Sequence, residues 1–214
     1  MPKDGAATKQ RILDAAERLV IENGYAATSL DEVIAESGTS KGAFFHHFAS
    51  KLDLASSLVD RYAAADITHL HQAVARARAA SDDPRERVIA FVRVFEDSAE
   101  ELMAAQSSCL YVSILTERQL ARNGTSEQIV QAIEAWRHTL SGMLREAFDT
   151  LPTRPTIDTE ALADHAFVTF EGAFILSRST DDSTHMRAQL TVLRQLLAHL
   201  LGDRSDEHPL SARR

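Results

Sequence analysis

Apolar residues recur at intervals of three and four through nearly the whole chain and nowhere alternate one by one, a period that fits helices and leaves no room for a sheet. Only 5 prolines and 8 glycines interrupt 214 residues, so the helices are few and long. Ile12, Ala16, Leu19 and Val20 mark one face of a first helix, which ends in "ENGY" at Gly24, where glycine tolerates a left-handed backbone. Ser29 and Glu32 have the spacing of a capping box and open a short second helix that stops at Gly38. Thr39 or Ser40 caps a third short helix, with Phe44 and Phe48 four apart as its buried stripe. Ser50 and Asp53 form another box and begin a helix running to about Ala80, about 45 Å at 1.5 Å per residue.

Further along, Asp83 as cap and Pro84 at the first helical position predict a helix over 84–104. A sixth helix is expected from about Cys109 to Asn123 and Gly124, and a seventh, capped by Thr125 or Ser126, to Asp149. "TLPTRPTID" is a loop, and helices over 159–178 and 184–201 complete the set. The expected architecture is all-α, about nine helices: a three-helix head, a connecting rod and a helical bundle.

The composition, 44% hydrophobic and 25% charged, is that of a globular protein. No apolar run reaches the roughly 20 residues needed to cross a bilayer, and "MPKDGAATKQ" lacks the apolar core of a secretory signal. A cytoplasmic protein without a membrane partner is expected. The single cysteine, Cys109, excludes an intrachain disulfide framework and favours an inert buried thiol over a reactive sensor. A net charge of −8 argues against a protein that coats nucleic acid indiscriminately, yet residues 1–51 carry only −1 of it.

Within that near-neutral front lies "TSKGAFFHHFASK", Thr39 to Lys51, with two lysines, two histidines, three phenylalanines and no acid. Two short helices joined by a tight turn at Gly38, with a third behind, form the helix-turn-helix plan, whose second helix enters the major groove. A helix offered to DNA must keep carboxylates from phosphates; Lys41 and Lys51 can pair with them, and Gly42 lets the backbone come close. The phenylalanines hold the other side to the core, with Phe45 the exception on the DNA face. His46 and His47 lack the cysteine or carboxylate neighbours of a metal site, and no metal or other cofactor is expected.

"ILDAAERLVIENGYAATSL" followed by "TSLDEVIAESGTSKGAFFHHFASKLDL" resembles the signature of the TetR (tetracycline-repressor) family of bacterial transcriptional regulators over about residues 8–60. The resemblance implies a DNA-binding domain at 1–51 and a ligand-binding and dimerisation domain at 52–202, and the composition of "GDRSDEHPLSARR" adds a polar tail at 203–214. It implies that Thr28 or Ser29 carries a phosphate-contacting hydroxyl and that Ser40, Lys41 and Gly42 form the turn and start of the recognition helix. His47 matches a histidine that approaches the DNA backbone, and Lys51 a lysine that grips phosphate. Thr39, Ala43, Phe45 and His46 complete the expected DNA face. Phe45 stands where tyrosine is usual, Ala43 where threonine is frequent and Thr39 where valine is frequent, so one phosphate-directed hydroxyl is missing.

The same resemblance implies a small-molecule effector that releases a repressor from a palindromic operator. Its cavity is expected among Trp136, Phe95 and Met143, then Phe91, Tyr111, Leu115, Leu140 and Phe170, although ordinary core is the simpler role for any one of them. Because one recognition helix touches only a few base pairs, two copies are needed on a two-fold site. Ala163, Ala166, Phe167, Phe170 and Phe174, with Leu190, Leu193, Leu197 and Leu200, have the spacing of two stripes that could pair with their symmetry mates in a four-helix bundle. Two other functions compete: a ligand-binding dimer whose head no longer binds DNA, and a helical-bundle enzyme. Against the enzyme stand the absence of paired Glu-x-x-His motifs, of a phosphate-cradling glycine loop and of a nucleophile arrangement.

Overall fold

The computed structural model describes residues 3–105 and 127–202. Nine helices and no strand are found among them: α1 (Lys3–Asn23), α2 (Leu30–Glu36), α3 (Lys41–His47), α4 (Lys51–Ala80), α5 (Pro84–Asp97), α6 (Ala99–Ala105), α7 (Glu127–Asp149), α8 (Thr159–Thr180) and α9 (Thr184–Leu200). They are not the nine that periodicity alone suggests. The helix expected over 84–104 is two, parted at Ser98, whose hydroxyl and backbone N–H both turn back to the Val94 carbonyl. A serine that bonds its own backbone offers the chain an alternative to continuing the helix. The helix expected near 109–122 and the tail at 203–214 lie outside the described residues, as does Cys109.

Two compact units emerge, residues 3–66 with 127–133 and residues 67–105 with 134–202, and both α4 and α7 run from one into the other. In the first, α1 packs on α2 and α3 around Ile12, Ala16, Val20, Val33, Phe44 and Phe48, all buried. Ser29 and Glu32 make the capping box, each bonding the other's backbone amide. The chain then reverses at Gly38 (φ +62°): its N–H reaches the Ala35 carbonyl and that of Thr39 the Ile34 carbonyl, closing α2 with two bonds that a left-handed residue makes possible. Arg61 of α4 ties the start of that helix to α1, bonding Asp14 at 2.6 Å, Glu17, and the Leu13 carbonyl at 3.2 Å.

In the second unit α9 packs against α5, α6 and α8. Asp83 caps α5 with Pro84 at its first turn. Glu96 of α5, with 12% of its side chain exposed, accepts from Arg194 (14% exposed) at 2.6 Å and from Thr191 at 2.7 Å, both on α9. Burial alone would raise the Glu96 carboxyl, but the bonds from Arg194 and Thr191 outweigh it and hold it below its ordinary value. Arg194→Met is expected to cost about 3 kcal/mol, because it takes the ion-pair partner from a nearly buried carboxylate and leaves it the Thr191 hydroxyl as its close hydrogen-bond donor. A depressed carboxylate contributes fully above its ordinary pKa of 4.5 and loses that contribution as pH falls through the lowered value. The gap in Tm between wild type and Arg194→Met is therefore wide at pH 7 and narrower at pH 4; an equal gap at both would contradict this assignment.

Candidate nucleic-acid interface

Why α3 is presented as it is follows from its two ends. Ser40 caps it through a bond from the Ala43 amide at 3.1 Å, and Phe44, 0% exposed, and Phe48 anchor its inner side. The remaining positions face outward: Lys41, Gly42 and His46 are exposed, Ala43 and His47 half-buried, and the Phe45 ring stands 47% exposed against the edge of Phe44 at 5.3 Å. No acid lies within the helix. One lies beside it, Asp31 of α2, whose carboxylate is 3.7 Å from the Lys41 ammonium in a fully solvated pair. The His46 and His47 rings are 5.1 Å apart, and a Cβ added to Gly5 would stand 3.7 Å from His47 Cε1, so the start of α1 runs beside the end of α3.

A second group of residues gathers between α2 and α4. The Lys51 ammonium lies 4.4 Å from the Tyr25 ring centroid and donates to the Ala26 carbonyl at 3.3 Å, while Ser29 and Thr28 line the same cleft. Of the two hydroxyls, Ser29 is exposed, whereas Thr28 is 3% exposed and donates to the Gly24 carbonyl at 2.9 Å. Ser29 is thus the one facing solvent. Backbone and side-chain bonds from Ser29 hold the Glu32 carboxyl below its usual value, with Lys51 adding a smaller attraction. Thr39 is half-buried and shares a hydrogen bond with the Ser37 hydroxyl at 2.8 Å.

In the second unit, Trp136 of α7 meets Phe91 and Phe95 of α5 at 5.9 and 5.2 Å between ring centroids, and Phe95 meets Phe170 of α8 at 6.0 Å. Leu140 and Met143 follow Trp136 along α7, the first buried and the second half-buried. Tyr111 and Leu115 lie outside the described residues.

On α8 and α9 the expected stripes are largely covered within the single chain. Ala163, Ala166, Phe174, Leu190, Leu193 and Leu197 are buried, and Phe167, Phe170 and Leu200 half-buried. The apolar side chains left in solvent are others: Val168 (63%), Ile175 and Leu176 on α8, Val192 and Leu196 (58%) on α9. Val168, Ile175 and Leu176 share a helix face, as do Val192 and Leu196. Their spacing was visible in the sequence, but only packing shows which apolar face the neighbours leave bare.

No helix among the described residues is long and apolar enough to cross a membrane. A sequence model described as bacterial regulatory proteins, tetR family, matches residues 12–58, and one described as tetracyclin repressor-like, C-terminal domain, matches 84–193. Transcriptional regulator AcuR of Cereibacter sphaeroides is 25% identical over 82% of this chain and 78% of its own. HTH-type transcriptional regulator LmrA of Bacillus subtilis is 28% identical over 83% and 89%. Among solved structures, a TetR transcriptional regulator from Chloroflexus aurantiacus superposes with a TM-score of 0.76 at 26% identity, covering 92% of this chain and 96% of that one.

Proposed function

Because this chain belongs to the tetR family of bacterial regulatory proteins and is a DNA-binding transcriptional regulator, we propose that it is a homodimeric repressor released from a palindromic operator by an apolar or amphipathic effector. The observation carrying the reading is α3, a helix without acids that offers Lys41, Gly42, Phe45 and His46 to solvent. In the groove, Lys41, Ser40, Ser29, His47 and Lys51 meet phosphates and fix the register, while Phe45, Ala43 and His46 face base edges. Phe45 cannot donate to phosphate; its exposed ring suits a thymine methyl group. Thr28 and Thr39 act within the turns that hold α2 and α3, since their hydroxyls are engaged there.

The dimer forms through the bare faces of α8 and α9, and the effector binds around Trp136, Phe95, Phe91, Met143, Leu140 and Phe170. Binding favours one arrangement of the second unit, and the shift travels along α4, a single helix of 30 residues that continues into the first. DNA affinity falls when the two heads no longer suit successive major grooves.

Selection of bound duplexes from a random pool at low salt, followed by titration with salt, tests the reading. A palindromic site should emerge, with affinity falling steeply as salt rises. Lys51→Ala with His47→Ala should weaken binding about tenfold or more on every sequence alike and reduce the salt slope by about one. A protein that selects no site and shows no salt-dependent binding would be a ligand-binding dimer instead.

A further inference from the structure

The indole nitrogen of Trp136 is buried, and it finds no hydrogen-bond acceptor among the described residues. An N–H removed from water without a partner costs about 1–3 kcal/mol, so such a group in a native protein needs a reason. The Gln128 amide oxygen and the Ser177 hydroxyl share this state, but the first sits on a long rotatable side chain and the second can turn toward a carbonyl of its own helix one turn back. An indole N–H is fixed in the plane of its ring and has no such freedom. Two rings pack on Trp136, Phe91 near edge-on at 66° and Phe95 at 55° and 5.2 Å, and Phe170 closes on Phe95. Three helices, α5, α7 and α8, thus bring together an apolar, ring-lined environment with one unmet donor.

We propose that the Trp136 N–H is the polar handle of the effector site and that the effector is an uncharged, ring-bearing or bulky apolar molecule with a hydrogen-bond acceptor, such as a ketone, ester, lactone or amide oxygen. The inference rests on the effector reading above and adds the class of molecule. Its logic is that of a buried polar group left wanting: a ligand with the acceptor restores the bond, and one without it leaves the donor unpaired in both states. The aromatic rings supply affinity and the single donor supplies orientation.

The chain holds 1 tryptophan, so one indole N–H signal in a proton–nitrogen NMR spectrum reports this site alone. The probes are 2-acetylnaphthalene and 2-ethylnaphthalene, which match in shape and differ in the carbonyl. The full-length protein is expected to bind the ketone about tenfold more tightly by calorimetry, the worth of one well-made hydrogen bond. Its indole proton should move downfield with the ketone and not with the hydrocarbon. Trp136→Phe, which keeps an aromatic ring and removes the donor, should bind both compounds equally. Equal binding by the wild type, or a preference that survives Trp136→Phe, overturns the inference while leaving the effector site standing. If Trp136→Phe does not fold, the wild-type spectrum decides alone, and an indole signal unmoved by bound ketone is the overturning result. If neither compound binds, the class is wrong, and the effector site is judged separately by whether unrelated small molecules release the selected DNA.

Discussion

Phe44→Ala should abolish DNA binding by unfolding the head, whereas Phe45→Ala, one residue later, should leave the head folded and weaken only its grip on DNA. Phe44 has no exposed surface and rests against Phe45 and Phe48 at 5.3 and 5.6 Å. Deleting a buried phenyl ring removes its transfer energy and leaves a cavity, about 3–5 kcal/mol together. A three-helix head has a small core, and a loss of that size is comparable with the whole stability of a marginal domain. Phe45 is half in solvent, and truncating it should change stability by less than about 0.5 kcal/mol. Thermal unfolding of both variants and their affinity for the selected duplex make the comparison. A Phe44→Ala protein that melts with the wild type and still binds DNA would show that the core is not organised around this ring.

Val168→Glu with Leu196→Glu is expected to turn a dimer into a monomer and to lower DNA affinity a hundredfold or more. Among the described residues these are the two most exposed large apolar side chains, on helices that pack on one another. In a two-fold interface each substitution appears twice, placing four carboxylates of one sign in a contact that excludes water. Burying unpaired charge is far costlier than the apolar contact it replaces. In the monomer the same positions face water, so the fold should tolerate both changes. Analytical ultracentrifugation at micromolar concentration reads the outcome. A double variant that remains dimeric would move the interface elsewhere; one that is monomeric yet binds the palindrome at full strength would remove the need for a dimer.

How much of this was legible in the sequence depended on the range of the interaction. Gly24, the Ser29–Glu32 box, Gly38 and the Asp83–Pro84 start all act within five residues of themselves, and each marks a boundary found in the structure. The break at Ser98 is just as local but has no glycine or proline to announce it, and the side-chain bond to the Val94 carbonyl that accompanies it has no spacing signature in the sequence. The stripes on α8 and α9 leave open which apolar face is covered, for a different reason. Both helices carry apolar residues on more than one face, and the sequence cannot say which face α5 and its neighbours cover. Thr28 shows the same limit at one residue: its hydroxyl stands at the start of α2 as expected, but the preceding turn offers the Gly24 carbonyl, and the side chain takes it.

The pairing of Lys41 with Asp31 bears on how the head meets its target. The ammonium already has an anion beside it in the unbound protein, loosely held at 3.7 Å and open to water on both sides. A phosphate that draws Lys41 away therefore replaces one counter-ion with another and leaves Asp31 facing the duplex. Because both side chains are exposed, the pair itself is worth little, and a phosphate gives up almost nothing in displacing Asp31. A cation held this loosely stays available, so the neighbouring acid steers the side chain without removing its charge from the reach of a duplex.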